Sequence, residues 1–331
     1  MTSFDTARIG EFIAGRVAGR VEIEHSLAML TTYRLGGPAA VFMEPSGPDD
    51  VIALGGALDE LRSQGVHLPV LSIGRGSNLV VSDEGWDGLA LRLGGEGFSW
   101  IEPGTGAGLV AGAGTPLPLV ANWAARRGLE GAEFLIAIPG SVGGAVRMNA
   151  GAHGREIGDC LTSAQVLNLP TLDVAERAIE ELGYAYRTSN LTDDDVVLKA
   201  HLRLERTETS AVKERMEKYR QHRAATQPGA LQNAGSVFQN PPGDFAGRLV
   251  EAAGLKGFRI GGAAVSELHA NFFVASTGAR AQDVYDLVHE VRRRVLDRFG
   301  VELTPEIRFA GPFDDRPNGT ARDHLDNRRA G

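Results

Sequence analysis

Apolar positions in this chain follow three spacings, and each predicts a different element. Over residues 3–20, Phe4, Ile9, Phe12 and Ile13 fall on one side of a helix. A polar turn region from His25 to Pro38 leads into a strand over 39–44. Pro48 opens a helix reaching Gln64, with Asp49 and Asp50 in its first turn, where carboxylates suit the positive end of the helix dipole. Short strand-like runs follow at 69–74, 89–94 and 108–114, separated by glycine-rich turns. TPLPLVANWAARRG reads as a helix capped by Thr115 and closed by Gly128. After a glycine-rich stretch at 131–158, strands return near 161–169 and 196–206, the second alternating well in VVLKAHLRLE.

Composition shifts near residue 207. A helix begins there with Ser210 as its cap, followed by a polar turn region at 226–244 and a short helix at 245–253. A long amphipathic helix at 280–299 turns Val284, Leu287, Val288, Val291 and Val295 inward, and LTPEIRF (303–309) forms a terminal strand. From 312 onward the polar tail is expected to be disordered. The pattern is α+β with at least two domains and a break near 207.

Charge and cysteine usage narrow the function. Lys plus Arg total 34 against 42 Asp plus Glu, a formal net charge of −8, which argues against broad nucleic-acid binding because counterion release needs many cationic contacts. A local basic pocket for a phosphate-bearing ligand remains compatible. One cysteine, Cys160, leaves no internal disulfide framework and no cysteine-based zinc site, and fits a reducing cytoplasm. The N-terminus lacks a basic region followed by an apolar one, and the longest uncharged stretch (103–125) carries five glycines and three prolines. A soluble protein with no membrane partner is expected. Glycine is the outlier, with 43 in 331 residues and no repeat or low-complexity tract to absorb them.

The glycines fall in three clusters: Gly74-Arg75-Gly76-Ser77-Asn78, Gly112-Ala113-Gly114, and the run from Ile138 to Gly151. Such loops turn tightly and bring backbone N–H groups close to an anion. None completes G-x-G-x-x-G or a Walker A motif, and G-x-S-x-G and H-E-x-x-H are absent. A single cluster is ordinarily only a turn. Three in one domain, two with interleaved Ser and Asn, point to a pyrophosphate cradle built from backbone.

These segments carry a resemblance. IGRGSNLVVSDEGWDGLALRL and LEGAEFLIAIPGSVGGAVRMNAGAHGREI resemble the two flavin-binding loops of the UDP-N-acetylenolpyruvoylglucosamine reductase family. GYAYRTSN, NAGSVFQNPPGDFAGRLVEAAGLKG, RIGGAAVSELHANFFV and GVELTPEIRFAG follow in that family's order, so the likeness spans roughly residues 25–311. It implies a FAD-binding domain of the vanillyl-alcohol oxidase and p-cresol methylhydroxylase type (33–206) and a C-terminal α+β substrate-binding domain (207–311). The residue pattern adds an N-terminal helical segment (1–32) and the tail (312–331). The resemblance also implies the reaction: NADPH reduces non-covalently bound FAD, and the reduced flavin reduces UDP-N-acetylglucosamine enolpyruvate to UDP-N-acetylmuramate for peptidoglycan synthesis. A monomer is expected.

Hydride addition to the vinyl carbon remote from the carboxylate leaves negative charge spread onto that carboxylate. Catalysis then needs a cationic group there and a proton donor at the other carbon. By motif position the resemblance assigns Arg187 to the carboxylate, Ser236 to the proton and Glu306 as third catalytic residue, either an acid or an orienter of Arg187. Flavin contacts carry over to Tyr33, Arg34, Gly74, Gly76, Ser77, Asn78, Leu79, Pro139, Gly140, Ser141, Gly143, Gly144, Asn149, Ala150 and Gly151. Substrate contacts carry over to Arg223, Asn240 and His269, and no metal is implied. Ala137 stands where the family commonly has glycine and His153 where it often has tyrosine. No tyrosine-bearing lid insertion is visible, as in the family's shorter form. Without the motifs, Arg187 reads as a surface strand end, Ser236 as a turn residue, Glu306 as a solvent-facing carboxylate, Arg223 as a solvated helix residue and His269 as packing. Two other functions compete. An alcohol-oxidising flavoenzyme of the same fold predicts a C-terminal domain without the Ser236 and Glu306 motifs. A flavin-binding protein without turnover sits poorly with all three catalytic positions being present.

Overall fold

A strand that the hydrophobic pattern hides, Arg20–Ser26, opens the first sheet. The predicted helix is shorter than 3–20 and runs Thr6–Ala14, while residue 20 already belongs to the strand. The computed structural model describes residues 6–229 and 232–315. In the first sheet Arg20–Ser26 pairs antiparallel with Pro38–Glu44, which runs parallel to Trp86–Arg92, itself parallel to Val70–Ile73. Helix Pro48–Ser63 has Pro48 at its start and Asp49 and Asp50 in its first turn, as expected, and buries Val51, Leu54, Leu58 and Leu61. That spacing makes one continuous apolar stripe against the core.

The second sheet is antiparallel, in the order Asp173–Ala178, Leu161–Asn168, Asp195–Leu202, Leu109–Gly112, Ile101–Pro103. Helix Val142–Met148 packs on its central strand, so Val196, Val197 and Leu198 are all buried and the alternation read there is partly lost. Helix Leu117–Arg126 ends before Gly128, which is left-handed (φ 63°) as expected of a helix terminator. Thr115 is not its cap: Pro116 holds that position, and the Thr115 hydroxyl donates to the Trp100 carbonyl at 2.9 Å. Ser210 is likewise inside its helix, which spans Thr209–Thr226 with Glu208 as N-cap. Val212 and Met216 of that helix join the first core, and Arg215 ties it to Glu130 and Glu133.

A second core gathers around Arg259–Ile260, Ala263–Val265 and Phe273–Ala275, a small antiparallel sheet covered by helix Ala281–Phe299. Val284, Leu287, Val288, Val291 and Val295 all face inward, as the spacing predicts. The short helix is Ala246–Ala252. LTPEIRF is mostly not a strand. Only Arg308–Ala310 is, pairing parallel with Leu79–Val81 of the first part of the chain. Upstream, Pro305 has no N–H for a ladder, and a single bridge links it to Phe238. Residues 312–315, expected in the disordered tail, are placed: the Phe313 ring stacks on Tyr285 with centroids 4.7 Å apart. Residues 316–331 of the expected tail lie outside the described residues.

Candidate active site

A cavity of about 750 Å³ is lined from both parts of the chain. One wall of it is the pair of glycine loops. Gly76 is left-handed (φ 59°), and a Cβ there would strike the Leu30 carbonyl. A Cβ on Gly74 would meet the Ser141 hydroxyl of the other loop, while one on Gly140 would lie 3.5 Å from Ser77 Oγ. Thus the two loops approach each other through positions that lack side chains. Gly144 differs: its only neighbour within 4 Å is Ser141 Oγ at 3.5 Å, so its open side is the cavity itself. Ser77, Asn78, Leu79, Pro139, Ala150 and Gly151 complete the wall. A backbone cradle of this kind fits a dinucleotide such as FAD, whose pyrophosphate needs close N–H approach.

Four expected flavin contacts sit elsewhere. Tyr33 is fully buried in the second core, its hydroxyl donating to the Phe273 carbonyl at 3.0 Å, and that burial raises its pKa. Arg34, next along a left-handed turn (φ 55°), is exposed and does not line the cavity. The Gly143 N–H is committed to the Ala113 carbonyl at 2.8 Å, and a Cβ there would meet Ala113 Cβ at 3.0 Å. Its glycine serves close packing of the helix on the sheet. Asn149 is buried, with its amide spent on Glu156, Ala185 and Gly158.

Arg187, Ser236 and Glu306 all face the cavity. Arg187 holds a left-handed backbone conformation (φ 58°), unusual for a branched-free but bulky residue and sustained by its side-chain contacts. Its Nε lies 3.2 Å from Glu306 Oε1, and its Nη2 donates to the Gly151 carbonyl at 3.0 Å. Burial raises the Glu306 pKa, with the Arg187 guanidinium opposing the shift. Ser236 follows Gly235 (φ 76°) and bridges to Phe272. The next residue, Val237, accepts from the Glu306 N–H at 2.7 Å, which sets the segments carrying Ser236 and Glu306 side by side. Buried Asn271 locks this arrangement by hydrogen bonds with both backbone groups of Phe238, at 3.0 and 2.8 Å.

Arg223, Asn240 and His269 also line the cavity. Arg223 donates to the Ala137 carbonyl, and burial lowers its pKa. Asn240 Oδ1 accepts the Ala246 N–H at 3.1 Å, and His269 Nδ1 accepts the Asn271 N–H at 3.2 Å. His153 lies off the cavity, stacked on Tyr219.

Sequence reasoning missed the charge of this surface. Arg75, Arg147, Arg187, Arg223, Arg248 and Arg308 line it against only Glu251 and Glu306, in a chain that is acidic overall. Such a cavity concentrates anionic ligands. It also missed Arg92, which clamps the Gly74 carbonyl, and the Asn78 side chain, which donates to the Glu306 carbonyl at 2.9 Å across 228 residues. Among the described residues, no group of three His, Cys, Asp or Glu side chains is arranged to hold a metal, and no helix is long and apolar enough to cross a membrane.

Comparison with known proteins fits these observations. Residues 39–174 match the FAD binding domain model, and residues 227–310 match the model for the UDP-N-acetylenolpyruvoylglucosamine reductase C-terminal domain. The chain is 40% identical over 294 residues to UDP-N-acetylenolpyruvoylglucosamine reductase of Halalkalibacterium halodurans, covering 88% of this chain and 95% of that one. It is 44% identical over 303 residues to UDP-N-acetylenolpyruvoylglucosamine reductase 2 of Symbiobacterium thermophilum, covering 89% and 94%. The crystal structure of the Thermus caldophilus reductase superposes with a TM-score of 0.74 at 35% identity, covering 88% of this chain and all of that one.

Proposed function

Because this chain belongs to the UDP-N-acetylenolpyruvoylglucosamine reductase family, we propose that it reduces UDP-N-acetylglucosamine enolpyruvate to UDP-N-acetylmuramate with NADPH, for peptidoglycan precursor synthesis in the cytoplasm. The observation that carries this reading is that Arg187, Ser236 and Glu306 line the same cavity as the glycine loops and adjoin them, Arg187 through the Gly151 carbonyl and Glu306 through the Asn78 side chain. The two glycine loops would hold FAD, which when bound would supply hydride-transfer chemistry between NADPH and the substrate's vinyl group.

The chain's own residues manage the charge that results. The Arg187 fork binds the carboxylate onto which negative charge spreads. Glu306 sits on Arg187 Nε and fixes the direction of that fork. Ser236 gives its proton to the carbon beside the carboxylate and regains one through water; a serine is a weak acid and suits only so basic an acceptor. Arg223, Asn240 and His269 bind the nucleotide end, with Arg223 supplying charge to the diphosphate. Residues 33–206 serve as the flavin domain and 207–311 as the substrate domain, with helix Thr209–Thr226 packed back on the first core and Tyr33 reaching into the second, in a monomer.

Anaerobic NADPH should bleach the purified yellow protein, and the enolpyruvyl nucleotide should restore the colour. Bleaching without recovery would leave a flavoprotein that is not this reductase. The cofactor is held without a covalent bond: Cys160 is buried away from the cavity, and burial pushes its thiol up to about 12. Acid precipitation should release all the yellow colour, and colour staying in the pellet would refute this.

A further inference from the structure

Glu156 does not line the cavity, yet it is bonded to the guanidinium that does. Its Oε1 lies 3.4 Å from Arg187 Nη1, and its Oε2 accepts from Asn149 Nδ2 at 2.7 Å. Asn149 has no freedom to turn its amide over: its Oδ1 accepts the Gly158 N–H at 3.2 Å, and its Nδ2 also donates to the Ala185 carbonyl at 3.2 Å. Glu156 therefore faces a donor on each of its two oxygens. Only a carboxylate accepts on both sides; an amide of the same shape must turn its NH₂ toward one of the two donors. The Glu156 backbone is fixed as well, its N–H donating to Asp159 Oδ2 at 3.0 Å.

We infer that Glu156 is a positioning residue for reduction: pinned by Asn149, it holds Arg187 Nη1 in the orientation that binds the substrate's carboxylate. This rests on the function proposed above. Glu306 grips the Nε edge of the same guanidinium and the Gly151 carbonyl grips Nη2; at the remaining corner Nη1 meets the Asn149 carbonyl at 3.5 Å and Glu156 at 3.4 Å, so Glu156 supplies the charged constraint there. A guanidinium free to swing there would present its fork out of register, and displacements of about 1 Å in such groups cost on the order of a hundredfold in rate.

The variant Glu156→Gln keeps the volume and removes one acceptor, and Glu156→Ala removes both. Titration calorimetry on the oxidised holoenzyme should show the Kd for the enolpyruvyl nucleotide raised about tenfold in Glu156→Gln. Binding of UDP-N-acetylglucosamine, which lacks the carboxylate, should stay within about twofold of wild type. In stopped flow, bleaching by NADPH should be unchanged, while reoxidation by the enolpyruvyl nucleotide slows about tenfold to a hundredfold. Equal weakening of both nucleotides, or loss of flavin with both half-reactions, would mean Glu156 merely supports the fold and would overturn the inference. Unchanged affinity and reoxidation in both variants would overturn it too. A wild-type enzyme that the enolpyruvyl nucleotide fails to reoxidise would instead refute the functional reading itself.

Discussion

The cavity has two walls made on different principles. On one side, Gly74, Gly76, Gly140 and Gly144 matter for the side chains they lack: a Cβ at Gly74 or Gly76 would strike a neighbouring loop, and one at Gly144 would point into the cavity. On the other side, where the proposed function places reduction, Arg187, Ser236 and Glu306 would matter for the groups they carry, and other segments hold their backbone in place. A wall of the first kind fails by addition and one of the second kind fails by removal. They therefore respond oppositely to mutation, and each response identifies which kind of wall a residue belongs to.

Gly76→Ala should have the largest effect, because its Cβ strikes the Leu30 carbonyl and its left-handed φ of 59° disfavours any side chain. A loss of about 2–5 kcal/mol in urea unfolding follows from strain plus overpacking, a large share of the stability of an ordinary domain. A stable yellow Gly76→Ala protein would show that this loop yields easily. Gly144→Val is the sharper test, since the fold has room for it and the ligand does not: soluble, folded but colourless protein is expected. Yellow, active protein would reduce that loop to a turn.

Ser236→Ala tests the other wall. It should keep FAD and bleach with NADPH at the wild-type rate, while reoxidation by substrate slows at least about a hundredfold, the low end for a positioned acid. Loss of bleaching with reoxidation intact would transfer the proton-donor role to Glu306. Smaller again is a pH effect. Burial raises the Glu306 pKa in the folded state, so below the ordinary glutamate range it is neutral in both states and contributes no pH dependence. As pH rises from there through the raised value, wild type should lose stability relative to Glu306→Gln; parallel stability curves would show no such shift. Smallest is Gly56→Ala, on helix Pro48–Ser63 with nothing within 4 Å of the new Cβ. Remote from both walls, it should stabilise the protein by about 0.5–1 kcal/mol and leave both half-reactions alone.

The same contrast governs what the sequence made legible. Glycine spacing marked loops that do line the cavity, because a position that excludes Cβ leaves its requirement in the residue type. Where a glycine or a neighbour served packing instead, as at Gly143 against Ala113, the same signal pointed to the wrong partner. Tyr33 misled through adjacency: the turn at Arg34 separates two residues that are neighbours in the motif, sending the ring into the second core. Strand Arg20–Ser26 went unread because it carries only Val21 and Ile23 as hydrophobics, and Ile23 remains 47% exposed on the sheet edge. Helix Ala281–Phe299 was plain because five aliphatic positions repeat without interruption. Glu156 and Asn271 left no pattern at all, since their partners lie in segments brought together only by folding.

The pairing of Arg308–Ala310 with Leu79–Val81 sets a schedule for biosynthesis. A ribosome releases Asn78 long before Glu306, yet the side chain of one is bonded to the backbone of the other. The nascent chain must carry its first glycine loop without that support while more than two hundred further residues emerge. Closing so distant a contact is an entropically late event. The first glycine loop therefore gains this support only after residue 306 has emerged, late in synthesis.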